Sequence, residues 1–414
     1  MAFVGLFALA VLLAPFFMDF RGLWKRIPMA LLALVAPLGV SVSHPSAWLP
    51  LGAILLAPFV IKSARIGWFS TVFVALVLAG IGTSWVWSMR GVGSFSFGIA
   101  DLRVLSSLLC GYLMFHAYAE KPHEAATFLK IFVLGHAILC FVLISGTIVS
   151  AGIPALFTYR LGSVMKVNPN ILASLLDVAA PISAGMALRN QENRRVKAVW
   201  FLITGLLFAS TILSQSRGAL LGLVVIALVF WWALFMRFPR HRLSLLALIL
   251  LCVVVAFPVV QRKVMVQSPS SIVSNMGRVV LLQKATEVLK DQEYFYGGGI
   301  DAFKSLKMQK GFPDWFDPTA QMSSHNIHLE FLLGWGVLGL LAWLLLLGWL
   351  GWYAARAGLN GDFLGFGSLA AIGAFWIHGM VDSLLVLPYF LLSNCIVAGV
   401  VLAAMAPSRN LSRN

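Results

Sequence analysis

Thirteen apolar runs follow one another along this chain, at about 2 to 17, 28 to 43, 47 to 61, 68 to 88, 102 to 119, 127 to 149, 169 to 188, 197 to 213, 217 to 235, 243 to 260, 327 to 353, 363 to 382 and 385 to 406. Runs of this length are what helices need to cross roughly 30 Å of hydrocarbon. A membrane β-barrel is excluded, because its strands alternate in character and never build such runs. The chain is therefore expected to be all-α, a polytopic integral membrane helix bundle. Pro15, Pro37 and Pro58 interrupt the early runs, so one of these is expected to be re-entrant or interfacial, leaving about 12 transmembrane helices. With 60% hydrophobic and 11% charged residues, a soluble α/β enzyme is ruled out.

The net charge of +15 raises the question of a nucleic acid partner. Its placement answers it. Basic residues gather in alternate breaks between apolar runs: Arg21, Lys25 and Arg26; Lys62 and Arg65; Arg189, Arg194, Arg195 and Lys197; Arg237, Arg240 and Arg242; Arg409 and Arg413. That is the pattern of cytoplasmic loops, so the charge reports topology and no nucleic acid is expected. The first run lacks a basic leader and is read as a retained span rather than a cleaved signal. Cys110, Cys140, Cys252 and Cys395 stand singly in apolar surroundings, which suggests neither disulfides nor a zinc site.

With the basic clusters inside, the outer segments are 88 to 101, 150 to 168, 213 to 217, 261 to 326 and the short break near 383. Three regions follow: 1–260, transmembrane helices with short loops; 261–326, one long external loop; 327–414, the C-terminal transmembrane helices. The loop holds six of the fifteen acidic residues. A loop this long in a compact protein is functional or disordered. Within it, 279 to 290 predicts an amphipathic helix with Val279, Leu282 and Leu289 on one stripe, capped by Ser274 or Asn275.

Few polar residues sit where chemistry needs them. Arg217, in Ser214-Gln215-Ser216-Arg217-Gly218, opens an apolar run, where a charge is expensive without a partner. Two readings are open: an arginine and a helix N-terminus converging on a phosphate, or an interfacial anchor snorkelling to the headgroups. Arg278 falls at the expected start of the loop helix, where a cation is disfavoured unless an anion lies between them. Together the two suit a diphosphate; alone, Arg278 reads as a solvated loop residue. His325 and His328 precede the next run in His325-Asn326-Ile327-His328-Leu329-Glu330. Three apart, they admit a metal reading, a general base on the outer face, or a histidine that merely hydrogen-bonds at a helix start. Arg160, with Asn168-Pro169-Asn170, adds donors to a polar cavity or marks a helix start. His378 and Asp382, four apart, are expected to pair within one helix. Gly297, Gly298 and Gly299 have no preceding strand, so they predict a turn rather than a dinucleotide fingerprint.

SQSRGALLG at 214 to 222, the long outer loop and SHNIHLEFLLGWGVLG at 324 to 339 resemble the O-antigen ligase family, with RLGSVMKVNPNILA at 160 to 173 in support. The resemblance covers roughly the second two-thirds of the chain. It implies an inner-membrane glycosyltransferase with its active site on the periplasmic face and membrane lipids around it. The donor would be O-antigen on undecaprenyl diphosphate and the acceptor a hydroxyl of lipid A-core, with no cofactor, neither ATP nor metal. Carried onto this sequence, the resemblance makes Arg217 and Arg278 the diphosphate ligands and His325 the general base. Arg160, Asn326 and His328 are expected to help bind substrate. Arg262 is a second candidate for the loop arginine. Fixed guanidinium groups can stabilise a departing diphosphate, and a base on the opposite face of the sugar gives inversion. The shortage of outer carboxylate pairs argues against a two-carboxylate hydrolase. The rivals are an O-antigen polymerase, whose acceptor is another lipid-linked glycan, and a transporter or flippase for such glycans. The latter would show repeats and charges near mid-membrane.

Overall fold

The computed structural model describes residues 68–89, 99–119, 122–165, 167–189, 193–238, 240, 269–290, 296–300, 324–382 and 388–405. The runs at 2 to 17, 28 to 43, 47 to 61 and 243 to 260 lie outside these, as do Arg262 and the basic clusters before residue 68. The described residues form helices joined by turns, with no strand among them: α1 (Trp68–Met89), α2 (Ile99–Tyr118), α3 (Pro122–Ala151), α4 (Pro169–Leu188), α5 (Arg194–Ser214), α6 (Arg217–Arg237), α7 (Pro269–Lys290), α8 (Ile327–Leu359), α9 (Phe363–Gly379) and α10 (Pro388–Met405). The expected polytopic helical membrane fold is what the chain adopts. Among the described residues, α3, α4, α5, α6 and α8 are long and apolar enough to cross a bilayer.

Helix α4 is the hub. Its apolar window is 83% buried, and it packs against α5, α6 and α9. Lipid tails are as apolar as leucine, so membrane helices associate where small residues let backbones approach. On α9, a Cβ at Gly367 would stand 2.5 Å from the Pro181 carbonyl of α4. Any larger residue there forces the two helices apart.

Contacts between helix ends sort several of them into two groups. The start of α4, the end of α5, and the starts of α6 and α8 lie at one end, with the end of α9. At the other, Arg189 after α4 bonds Asp362 before α9 at 3.2 Å. Arg194, Arg195, Arg237 and Arg240 are exposed near the helix ends of that same group.

Two features of 261–326 and α8 differ from the sequence reading. Helix α7 starts at Pro269, ten residues before the expected 279, because proline is well suited to a first helical turn. Ser274, Asn275 and Arg278 therefore sit inside it, and Arg278 is not at its N-terminus. Its buried face carries Leu281 and Ala285, whereas Val279 and Leu282 of the expected stripe are 55% and 46% exposed. Helix α8 is broken at Trp335 and Gly336, the latter with φ 66° and ψ −166°. That region is essentially open only to glycine.

The glycine run docks on this break. The N–H groups of Gly298 and Gly299 donate to the Leu333 and Gly334 carbonyls at 2.7 and 2.8 Å. Asp101 of α2, 1% exposed, accepts from Ile300 N–H at 3.1 Å and from the Trp335 indole at 2.8 Å. Irregular backbone at this depth survives only where protein satisfies it. The run is thus a clamp that ties the long loop to α1, α2 and α8, with Ser84 of α1 bonding the Tyr296 carbonyl.

Candidate active site

The end of the bundle that carries the starts of α4, α6 and α8 also gathers the polar side chains. Asn326 caps α8, its side-chain oxygen accepting from the N–H groups of His328 and Leu329 at 2.9 and 3.1 Å. Glu330, buried in the first turn, accepts from Ser324 N–H at 2.6 Å. Between these two anchors the backbone of His325 is left-handed, at φ 53°. Histidine is among the few residues found there with some frequency. The turn aims His325 away from the helix, and its Nδ1 lies 3.0 Å from Oδ1 of Asp382, just past α9.

Arg278 of α7 reaches the other oxygen of Asp382 at 3.9 Å. Burial pushes the Asp382 carboxyl up, but the hydrogen bond and charge of His325, then Arg278 and His378, hold it below the ordinary aspartate range. An ionised carboxylate can only accept, so Nδ1–H of His325 is the donor in this hydrogen bond.

Arg160 closes the opposite side. Its Nε donates to the Ser214 carbonyl at 3.1 Å and its Nη2 to Asn170. Asn168 caps α4 by accepting from Asn170 N–H at 2.9 Å, with Pro169 in the first turn, so the Asn-Pro-Asn string is a helix start that also presents Asn170 to Arg160. Burial lowers the pKa of Arg160, and the charges of Arg278 and Arg217 lower it further against Asp382. Arg278, Asp382 and Arg217 are thus all near enough to Arg160 for their charges to act on it. Arg217 is the first residue of α6, whose N-cap Ser216 makes no side-chain capping bond.

His328 takes another direction. Its Nδ1 accepts from the Trp343 indole at 3.2 Å, and its ring meets Trp376 edge-on. Half-buried, it packs against tryptophans of α8 and α9. His378 and Asp382 also do not pair through their side chains. His378 instead bonds Asp177 of α4, Nδ1 to Oδ2 at 2.6 Å, with both side chains wholly buried. One turn of α9 separates the two residues, yet tertiary partners at 0% exposure hold His378 inward. Asp382 is released towards His325.

Two functional candidates escaped the sequence reading. Asp177 is the one acidic residue in the run 169 to 188, a signal that an intramembrane carboxylate always gives. Asp382 as partner of His325 gave no signal, since the two are 57 positions apart.

The span that carries most of this cluster can be compared with known families. Residues 202–344 match the O-antigen ligase family. Over this stretch, less than half of its length, the chain is similar to that family. Arg217, Arg278, His325, Asn326 and His328 lie within the matched span; Arg160, Asp177, His378 and Asp382 lie outside it. No curated protein shows detectable similarity to the chain.

Proposed function

We propose that this protein is an O-antigen ligase, transferring a glycan from undecaprenyl diphosphate to a sugar hydroxyl of lipid A-core. The observation that carries the reading is the meeting of three arginines with a histidine–carboxylate pair at one end of the bundle. Arg217, Arg278 and Arg160 supply positive charge for a diphosphate, and the uncapped start of α6 adds backbone donors. His325, oriented by Asp382, takes the proton of the acceptor hydroxyl on Nε2. That oxygen bonds the anomeric carbon as the carbon–oxygen bond to phosphate breaks, and the electron pair leaves on the diphosphate. Attack opposite the leaving group inverts the anomeric centre. Asn326 acts through the backbone turn that presents His325.

The end opposite the cluster carries Arg189, Arg194, Arg195, Arg237 and Arg240, and the positive-inside rule favours it as the cytoplasmic end. On that orientation the cluster faces the periplasm of a bacterial inner membrane. The regions 1–260, 261–326 and 327–414 then act as scaffold, outer loop and closing helices of one enzyme. A polymerase would use the same donor chemistry, and the acceptor alone separates the two. Purified protein is offered lipid-linked glycan together with rough lipopolysaccharide, with and without EDTA, and products are resolved by gel mobility. Glycan on lipopolysaccharide in both conditions is the expected result. Lengthened donor with unmodified lipopolysaccharide makes it a polymerase, and loss of transfer in EDTA overturns the metal-free scheme.

A further inference from the structure

We infer that His378, held by Asp177, is a positioning residue that registers the anion-binding arginine against the histidine–carboxylate pair. The inference rests on the proposed transferase reading.

His378 touches both halves of the site without entering it. Its carbonyl accepts the backbone N–H of Asp382 at 3.0 Å and of Val381 at 3.0 Å, which fixes the turn that delivers Asp382 to His325. Its ring lies against the first turn of α6, where a Cβ on Gly218 would overlap it. Gly218 follows Arg217 directly, so the height of Arg217 is set by that ring. One turn deeper, a Cβ on Gly222 would stand 3.1 Å from the Asp177 carboxylate. The pair therefore fills two successive glycine notches of α6 and bridges α4, α6 and α9.

A polar pair buried in an apolar bundle is expensive, and a hydrophobic pair of similar volume would pack as well. What it adds is direction. The 2.6 Å bond to Asp177 holds the imidazole in one rotamer and places both its ring and its helix turn. His325 lies just before α8 and Arg217 opens α6, and His378 references the first through its carbonyl and the second through its ring.

The test is a double-mutant cycle in purified protein, with transfer kinetics measured on wild type, Gly218→Ala, His378→Ala and the double variant. Gly218→Ala is expected to raise donor KM about tenfold, because the methyl displaces the turn carrying Arg217. His378→Ala is expected to lower kcat about tenfold with donor KM changed much less, because Asp382 loses its register. In the His378→Ala background the methyl has room, and its effect on KM should disappear. If His378→Ala does not fold, His378→Gln, which keeps an N–H for Asp177 and leaves less empty volume, takes its place with the same loss of additivity. Equal effects of the methyl in both backgrounds, or variants that change only the amount of folded protein, overturn the inference. A wild-type protein that transfers to neither acceptor overturns the transferase reading, and the positioning role with it.

Discussion

His325 and Asp382 share a hydrogen bond of 3.0 Å between Nδ1 and Oδ1 although they are 57 positions apart in the chain. The bond joins the entry of α8 to the exit of α9 and fixes the direction of the imidazole. Replacing Asp382 therefore acts on the base without removing it. Asp382→Asn retains an acceptor for Nδ1–H and should lose about tenfold in transfer, with Asp382→Ala falling further. Donor binding and transfer rate, measured together, check this; a fully active Asp382→Ala removes the carboxylate from the mechanism.

For His325 itself, binding and chemistry should separate. His325→Ala should still bind donor lipid, whose diphosphate belongs to the arginines, yet lose about a hundredfold or more in rate. Alanine at a left-handed φ also strains the turn, so His325→Asn, a residue that tolerates this backbone, is the control. Equal loss in both variants assigns the defect to the imidazole.

Arg217 and Arg278 should each show a binding defect. A charge-assisted hydrogen bond contributes about 1.5 to 3 kcal/mol, so Ala at either position should weaken donor affinity by roughly ten- to a hundredfold. Lysine should restore part of it, since the charge remains and the planar fork is gone. Unchanged donor affinity in Arg217→Ala would return that residue to its other reading, a snorkelling anchor.

Asp382 also predicts how stability depends on acid. Its carboxyl is held below the ordinary aspartate value, so its contribution is present above the unfolded pKa of about 4 and fades as pH falls through the folded one. Wild type should melt higher than Asp382→Asn at neutral pH, and the gap should close only in strong acid. Melting in detergent across this range measures it. A gap that closes between pH 7 and 5 contradicts the ionised pair.

The helix frame was legible because membrane helices advertise themselves. The expected starts at 169, 217 and 327 are those of α4, α6 and α8. Each combines an apolar run with a polar residue before it, a local signal. The start of α7 was misplaced because Ser, Asn and Gly in 270–277 weaken helix propensity, and packing of Leu281 and Ala285 overrides it. In the sequence, Arg217 stands out as a charge that opens an apolar run and His325 as a histidine just before one, whereas Arg278 stands out only through a helix start that the structure moves to Pro269. Their company was not legible: the partners of His325 and His378 lie 57 and 201 residues away, and only the folded bundle brings them together.

The break in α8 should give the protein tolerance of bilayer thickness. Unbroken, its 33 residues would make a rod of about 50 Å, well beyond the hydrocarbon core. Divided at Gly336, the portion below can tilt to relieve hydrophobic mismatch while the short portion above stays with Asp382 and the glycine clamp. Transfer in vesicles of short- and long-chain lipids should therefore run at similar rates. Gly336→Ala, which cannot hold that backbone turn, should make the rate follow lipid length, so that the membrane itself begins to pull on His325.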